Sequence, residues 1–255
     1  MTHPFPRSSP PRLDRTVRAE VGVLTVLPVE MRAVVNALKR MYDYGRAPLA
    51  YEAWLPDSRG RHVRVAAVQS ARPDAESAAL AYQRLVEAYQ PDTVVLAGIA
   101  AGVAPQVALG DVVLSDRLVT AGLPRIPAQG FAATLGYRIE EFLTAVPIVQ
   151  ERRNGDSFRL HRGPIGVGGA MTGDAGAEIR RWLTQVNDRV LAVESDAAGV
   201  APAQPAVPGR GPARLAVRGI ADTAYQHRNE DYRELAARHA AEVTAMLVPF
   251  LHPGR

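Results

Sequence analysis

The chain has 255 residues, 47% hydrophobic and 22% charged, with 30 basic against 26 acidic side chains and a formal net charge of +4. That length suits an α/β domain with a substantial core, while no apolar run reaches the roughly 20 residues of a membrane helix. Cysteine is absent, which excludes disulfides and thiolate metal sites and suits a reducing cytoplasm. The excess charge sits near the start, where Arg7, Arg12, Arg15 and Arg18 face only Asp14. The body is therefore nearly neutral, and its charge indicates no nucleic-acid surface. The six histidines lack the close spacing of a zinc helix, so no metal is expected.

Residues 1–20 are rich in Pro, Ser and Arg, without the apolar stretch of a secretory signal, and are expected to form a disordered leader. Residues 21–255 are expected to form one domain. Val21 to Leu27 reads as a buried strand, and Val29 to Met41 as a helix with apolar residues at Val34, Val35, Leu38 and Met41. Tyr51 to Leu55 and His62 to Val68 flank a turn-rich Pro56–Gly60 and predict a hairpin. Pro73 to Tyr89 has the apolar spacing of an amphipathic helix. Thr93 to Ala97 predicts a strand running into a turn, Gly98-Ile99-Ala100-Ala101-Gly102. Val112 to Ser115, Ile165 to Gly169, Val190 to Val193 and Leu215 to Ile220 predict further strands. The stretch from Val119 to Arg162 has no clear period. A helix is expected from about Ala175 to Gln185, a surface loop over Ala203 to Pro212, and a last helix from an Asn229 cap to Leu251. Strands alternating with helices imply a helix-covered, largely parallel sheet.

Four segments, in order, resemble the purine nucleoside phosphorylase/nucleosidase superfamily: VGVLTVLPVEMRAV, VVLAGIAAGVAPQVALGDVVLSD, AVESDAAGVA and VRGIADTAY. The resemblance spans about Val21 to Leu251 and leans toward the hydrolytic branch, methylthioadenosine/S-adenosylhomocysteine nucleosidase and futalosine hydrolase. It implies a three-layer αβα sandwich around a mixed, largely parallel sheet. It also implies a homo-oligomer, with a dimer favoured, a small nucleoside or nucleotide as substrate, and no cofactor.

Cleaving a bond between sugar and purine passes through an oxocarbenium-like sugar, and the departing base must be protonated. By the resemblance, Asp222 is that general acid, which requires a desolvated setting to stay protonated near neutral pH. The plain alternative is a polar strand end or helix cap. Glu30 matches the acid that orients and deprotonates the attacking water; the alternative is a first-turn glutamate favoured by the helix dipole. Asp196 matches a carboxylate that grips the ribose hydroxyls, in a run reading Glu194-Ser195-Asp196 where relatives carry Glu-Met-Glu. Glu194 reads as a structural or hydroxyl-orienting partner, and Ser195 replaces a methionine that packs on the sugar.

Met171 stands where relatives place an aromatic against the purine, with core filling as the alternative. Ile99, beside Ala100 in the Gly-rich segment, replaces a serine and makes a poorer anion corner. Arg72, in the loop Ser70-Ala71-Arg72-Pro73-Asp74, could meet a polar or acidic 5′ substituent or could be an exposed loop residue. The first strand lacks the phosphorylase Gly-Asp-Pro-x-Arg loop, having Leu27-Pro28-Val29-Glu30 instead, and no arginine lies in Ala97 to Val103. Hydrolysis is therefore preferred. Phosphorolysis and a catalytically silent nucleoside-binding module remain the alternatives. A Rossmann dehydrogenase is excluded, because no Gly-x-Gly-x-x-Gly turn follows the first strand.

Overall fold

Five residues with no solvent exposure to spare, Val21–Thr25, form β1 at the middle of the sheet. The computed structural model describes residues 18–38, 50–57, 59–115, 118–120, 133–151, 157–167, 181, 189–195, 200, 211–223 and 230–251. In chain order these supply β1, α1 (Pro28–Ala37), β2 (Ala50–Pro56), β3 (His62–Gln69), α2 (Ala75–Tyr89), β4 (Thr93–Gly102), β5 (Val112–Ser115) and β6 (Leu118–Thr120). They continue with α3 (Ala133–Ala145), β7 (Val149–Glu151), β8 (Ser157–Arg162), β9 (Ile165–Val167), β10 (Ala192–Glu194), β11 (Ala213–Thr223) and α4 (Glu230–Leu251). Of the expected leader at residues 1–20, residues 1–17 lie outside the described residues, as do the Ala175 to Gln185 helix (Arg181 apart), most of the Ala203 to Pro212 loop and the Asn229 cap. Ala19, by contrast, is buried and donates to the Tyr89 carbonyl at 2.8 Å.

The sheet runs β2-β3-β1-β4-β11-β5-β8-β7, with β10 joined to β4 and to β9, and β6 to β9. Six of its ten described ladders are parallel, so the sheet is mixed and largely parallel, as expected. Side-chain alternation splits the core between two faces. Val21, Val23, Val95, Ala97, Leu215 and Val217 point to the face covered by α1, α3 and α4. Leu24, Leu96, Ala216 and Ile220 point to the face covered by α2 through Ala78, Ala81 and Leu85. This is the αβα sandwich. No helix among the described residues is long and apolar enough to cross a membrane.

The hairpin, α2, β5 and the last helix fall where the sequence puts them. Three assignments change. Gly98 to Gly102 do not turn: they continue β4, paired with β11 to its end. Neither Gly98 nor Gly102 has positive φ, so these glycines are not there for backbone freedom. Asp222 does not follow its strand but lies within it, next to last in β11. The strand expected at Val190 to Val193 is shifted to Ala192–Glu194. The middle, which the sequence left unassigned, contains the 13-residue helix α3 and the strands β7 and β8.

The carboxyl end of β11 is held from two sides. A Cβ on Gly219 would come within 2.0 Å of the Ala236 carbonyl oxygen, so only glycine lets the α4 backbone lie directly on the strand. Gly110 donates to the Ile220 carbonyl and Ile220 donates to the Asp111 carbonyl, both at 2.8 Å. The Asp111 carboxylate accepts from Ala108 N, Arg159 N and His161 Nε2 at 2.8–3.0 Å. Burial works against its ionisation, and these three donors outweigh it, holding its pKa below the ordinary carboxylate value. His239 of α4 donates from Nδ1 to Gly110 O at 2.6 Å, fixing the helix to the same corner.

Candidate active site

Helix α1 starts three residues after β1, with Pro28 in its first turn and Leu27 as an extended N-cap. Glu30 therefore stands at the third helical position and folds back over the end of β1. Its Oε2 accepts from Val26 N at 2.9 Å and Leu27 N at 2.8 Å. Reaching back to Leu27 is what a capping glutamate does. The next contact is not: Oε1 accepts from Ile99 N on β4 at 2.9 Å. Glu30 is 1% exposed. Three of the roughly four lone-pair sites of its carboxylate are thus held by backbone donors. Burial raises the Glu30 pKa, while the Arg218 guanidinium and the three N–H groups oppose that rise.

Arg218 was not among the residues singled out from the sequence. It lies on β11 opposite Gly98 of β4. A Cβ on Gly98 would come within 2.2 Å of Arg218 Nη1 and 2.5 Å of Glu30 Oε1. The space left by the missing side chain is where guanidinium and carboxylate meet. On its other side, Arg218 Nη2 donates to Glu194 Oε2 at 3.1 Å, with both side chains almost wholly buried. The sequence did carry a signal. An arginine inside the apolar run Leu215 to Ile220 of a central strand must be paired, since charged groups are rarely buried alone.

Asp222 is placed by register. A β-bulge interrupts β11 between Ile220 and Asp222, after which Asp222 pairs with Ala101. Ala101 is two residues past Ile99, about 6.6 Å of strand rise beyond the backbone N–H that holds Glu30. Glu30, at the start of α1, is thus tied to the carboxyl-terminal part of β4, and Asp222 lies toward the same end of the adjoining β11, half-buried. Bulges re-aim side chains at such rims. Ala100 is buried and Ile99 half-buried between them. Glu194 ends β10, which runs antiparallel to β4 with Val193 opposite Ala101, and Ser195 follows it at the same rim. Asp196 and Met171 lie outside the described residues.

Arg72 lies in the loop after β3, beyond the carboxyl end of that strand. Its Nε is 3.3 Å from Ser77 Oγ and 3.1 Å from Asp74 Oδ2, and its side chain is 68% exposed. Asp74 caps α2 by accepting from Ser77 N at 2.7 Å. The loop arginine therefore braces the start of α2 and leaves its outer nitrogens toward solvent. A separate cavity of about 380 Å³, lined by Arg18, Gln90, Asp92 and Pro212 among others, opens at the amino ends of β4 and β11. Ile99 lies six residue steps along β4 from Thr93, about 20 Å, so this cavity takes no part in the acidic cluster. Among the described residues no group of His, Asp and Glu side chains is arranged to hold a metal.

The chemistry open to the carboxyl end is acid–base. Among the described residues it offers a buried carboxylate held by three backbone donors, a guanidinium beside it, and a second acid at the end of β11. Placing a methyl group at Gly98 tests this arrangement. Gly98→Ala must push Arg218 and Glu30 apart, and displacements near 1 Å at a reacting centre cost about a hundredfold in rate. The expected outcome is that loss in kcat with an unchanged circular dichroism spectrum. Wild-type turnover in Gly98→Ala would show that the contact is only structural.

A model of the phosphorylase superfamily matches residues 20–251. Among curated proteins none matches the chain. Solved structures share its fold. The 5′-methylthioadenosine/S-adenosylhomocysteine nucleosidase of Neisseria meningitidis, in complex with methylthio-immucillin-A, superposes with a TM-score of 0.66 at 19% identity, over 90% of this chain and 98% of that one. The Streptococcus pneumoniae MTA/SAH nucleosidase with 8-aminoadenine gives 0.67 at 23% identity, over 90% and 99%. The futalosine hydrolase of Helicobacter pylori gives 0.63 at 16% identity, over 92% and 99%.

Proposed function

Because the chain belongs to the phosphorylase superfamily, we propose that it hydrolyses the N-glycosidic bond of a purine nucleoside or a close analogue. In this reading a water molecule lies between Glu30 and the anomeric carbon. Its oxygen forms the new bond to that carbon as Glu30 takes its proton. The bond from carbon to base nitrogen breaks, and Asp222 delivers a proton to the imidazole ring of the departing base. Asp196 grips the sugar hydroxyls, Ser195 faces the sugar in place of a methionine, and Met171 packs on the purine. Ile99 and Ala100 wall the sugar side. Arg72 meets a polar or acidic 5′ substituent with its outer nitrogens, its Nε already being engaged by Asp74.

One observation carries the preference for water over phosphate. The three backbone N–H groups at Val26, Leu27 and Ile99, with Arg218 adjoining, make a cradle for an oxyanion, and the Glu30 carboxylate already fills it. A buried negative charge at that point repels phosphate and suits a neutral nucleophile. Names of similar structures support the substrate class: methylthioadenosine, S-adenosylhomocysteine and futalosine are what those enzymes are named for. An oligomer, with a dimer favoured, also belongs to this reading. It is supported by the exposed apolar side chains of Tyr137, Ile148 and Val149. A cytoplasmic setting fits the cysteine-free composition.

The test is a chromatographic screen of a nucleoside and nucleotide panel that includes 5′-methylthioadenosine, run with and without orthophosphate. Free base and free sugar in both buffers is the expected result. Base released only with phosphate would make the chain a phosphorylase. Calorimetric binding without any base release would make it a silent binding module.

A further inference from the structure

Glu194 is buried, charged and so far without a part in the reaction. One guanidinium serves two carboxylates: Arg218 Nη2 binds Glu194 Oε2 at 3.1 Å, and Nη1 shares the space above Gly98 with Glu30 Oε1. The three side chains come from β10, β11 and α1, and they meet across β4 because Gly98 has no side chain to keep them apart. With all three ionised, the cluster holds two negative charges and one positive charge in a nearly dry place.

We propose that Glu194 is a positioning residue: by holding one side of Arg218 it limits how far that guanidinium neutralises Glu30, and so keeps Glu30 basic enough to take a proton from water. The proposal rests on the hydrolytic reading above. Its physics is competition for one cation. Glu30 already accepts three backbone N–H bonds, each of which favours its ionised form. A guanidinium devoted wholly to it would add a strong fourth donor and leave a carboxylate too stable to accept a proton. Glu194 draws that guanidinium away, and its own negative charge further disfavours ionised Glu30. Both effects raise the Glu30 pKa, in the same direction as burial.

Among the described residues, Arg218 is the charged group beside Glu30, with Glu194 on the far side of it. β1 and β4 present neutral backbone N–H groups to it, and Arg32 on its own helix is exposed. Asp222 lies farther along β11, past the bulge.

Glu194→Gln keeps the shape of the side chain and removes its charge. The expected result is an acid limb of the kcat/KM profile, measured on 5′-methylthioadenosine or the best panel substrate, displaced downward by about one pH unit. The plateau kcat falls while KM changes little. A ¹³C-carboxyl titration of Glu30, assigned with Glu30→Gln, moves the same way. A purely structural ion pair predicts lower stability with the limb and the titration unmoved, and that result overturns the proposal. Should Glu194→Gln not fold, Glu194→Asp carries the test. It withdraws the charge by one methylene, so both readouts shift in the same direction by less; wild-type positions overturn the proposal again. The carboxyl titration needs no turnover, so a chain that never releases base would sink the hydrolytic reading while the Glu194 effect could still be read.

Discussion

Asp222→Asn is expected to lower base release from purine nucleosides by about a thousandfold, while hydrolysis of 4-nitrophenyl β-D-ribofuranoside falls by less than about tenfold. The two substrates differ only in what leaves. A purine departs as a poor anion unless its imidazole ring is protonated, and general acids in such roles contribute about 10²–10⁴ in rate. Nitrophenolate departs without a proton. Asparagine keeps the size and hydrogen-bonding shape of the side chain but has no acidic proton to give. The placement of Asp222 supports the role. It stands after a bulge at the rim of a strand whose preceding residues are clamped by Gly110, Asp111 and the α4 backbone. A donor must be held rigidly to be effective, and this strand end is held by hydrogen bonds on one side and direct packing on the other. An equal loss on both substrates would mean that Asp222 maintains the site or binds the sugar. No loss on purine nucleosides would remove it from the reaction.

What the sequence made legible, and what it hid, follows from how each residue interacts. β1 was readable as a short continuous apolar run and α2 because its apolar residues recur with the helix period, and Asp74 caps α2 by accepting a local bond from Ser77 N. Glu30 and Asp222 could be named as candidates only through the resemblance. Nothing in their local sequence tells a capping glutamate from one that also reaches Ile99, because that contact spans 69 residues of chain. Gly98 misled for a related reason. A glycine in sequence suggests a turn, yet here it serves as open space for the side chains of two other elements.

Arg218 could have been found. Charged residues placed in the buried positions of predicted strands demand partners, and the same rule picks out Glu52 and Arg64, which pair at 2.7 Å across β2 and β3. Which partner each one takes could not be read, since strand order is set by tertiary packing. The sequence has β11 following β10, whereas in the sheet β4 lies between them, so Arg218 and Glu194 meet over a strand that precedes both.

Glu30→Ala should lower hydrolysis by about a thousandfold, the scale of a lost general base, and added formate should restore part of the rate in a saturable way. Truncation removes the carboxylate but not what holds it. Val26 N, Leu27 N and Ile99 N stay on the backbone, and Arg218 stays anchored by Glu194. Orphaned donors around a buried void attract a small anion, because leaving them unpaired costs about 1–3 kcal/mol each. Formate matches the missing group in charge and in its two oxygens, and it can accept a proton from water as the carboxylate did. Orthophosphate makes the sharper comparison. If the cradle is an oxyanion site that the native side chain merely occupies, phosphate bound in the variant would attack the sugar itself, giving sugar 1-phosphate where the wild type gives free sugar. ³¹P NMR distinguishes the two products directly. Failure of both anions to bind a folded Glu30→Ala protein would mean that the three N–H groups and Arg218 do not form a cradle without the glutamate, and water would then be favoured for some reason other than the charge of Glu30.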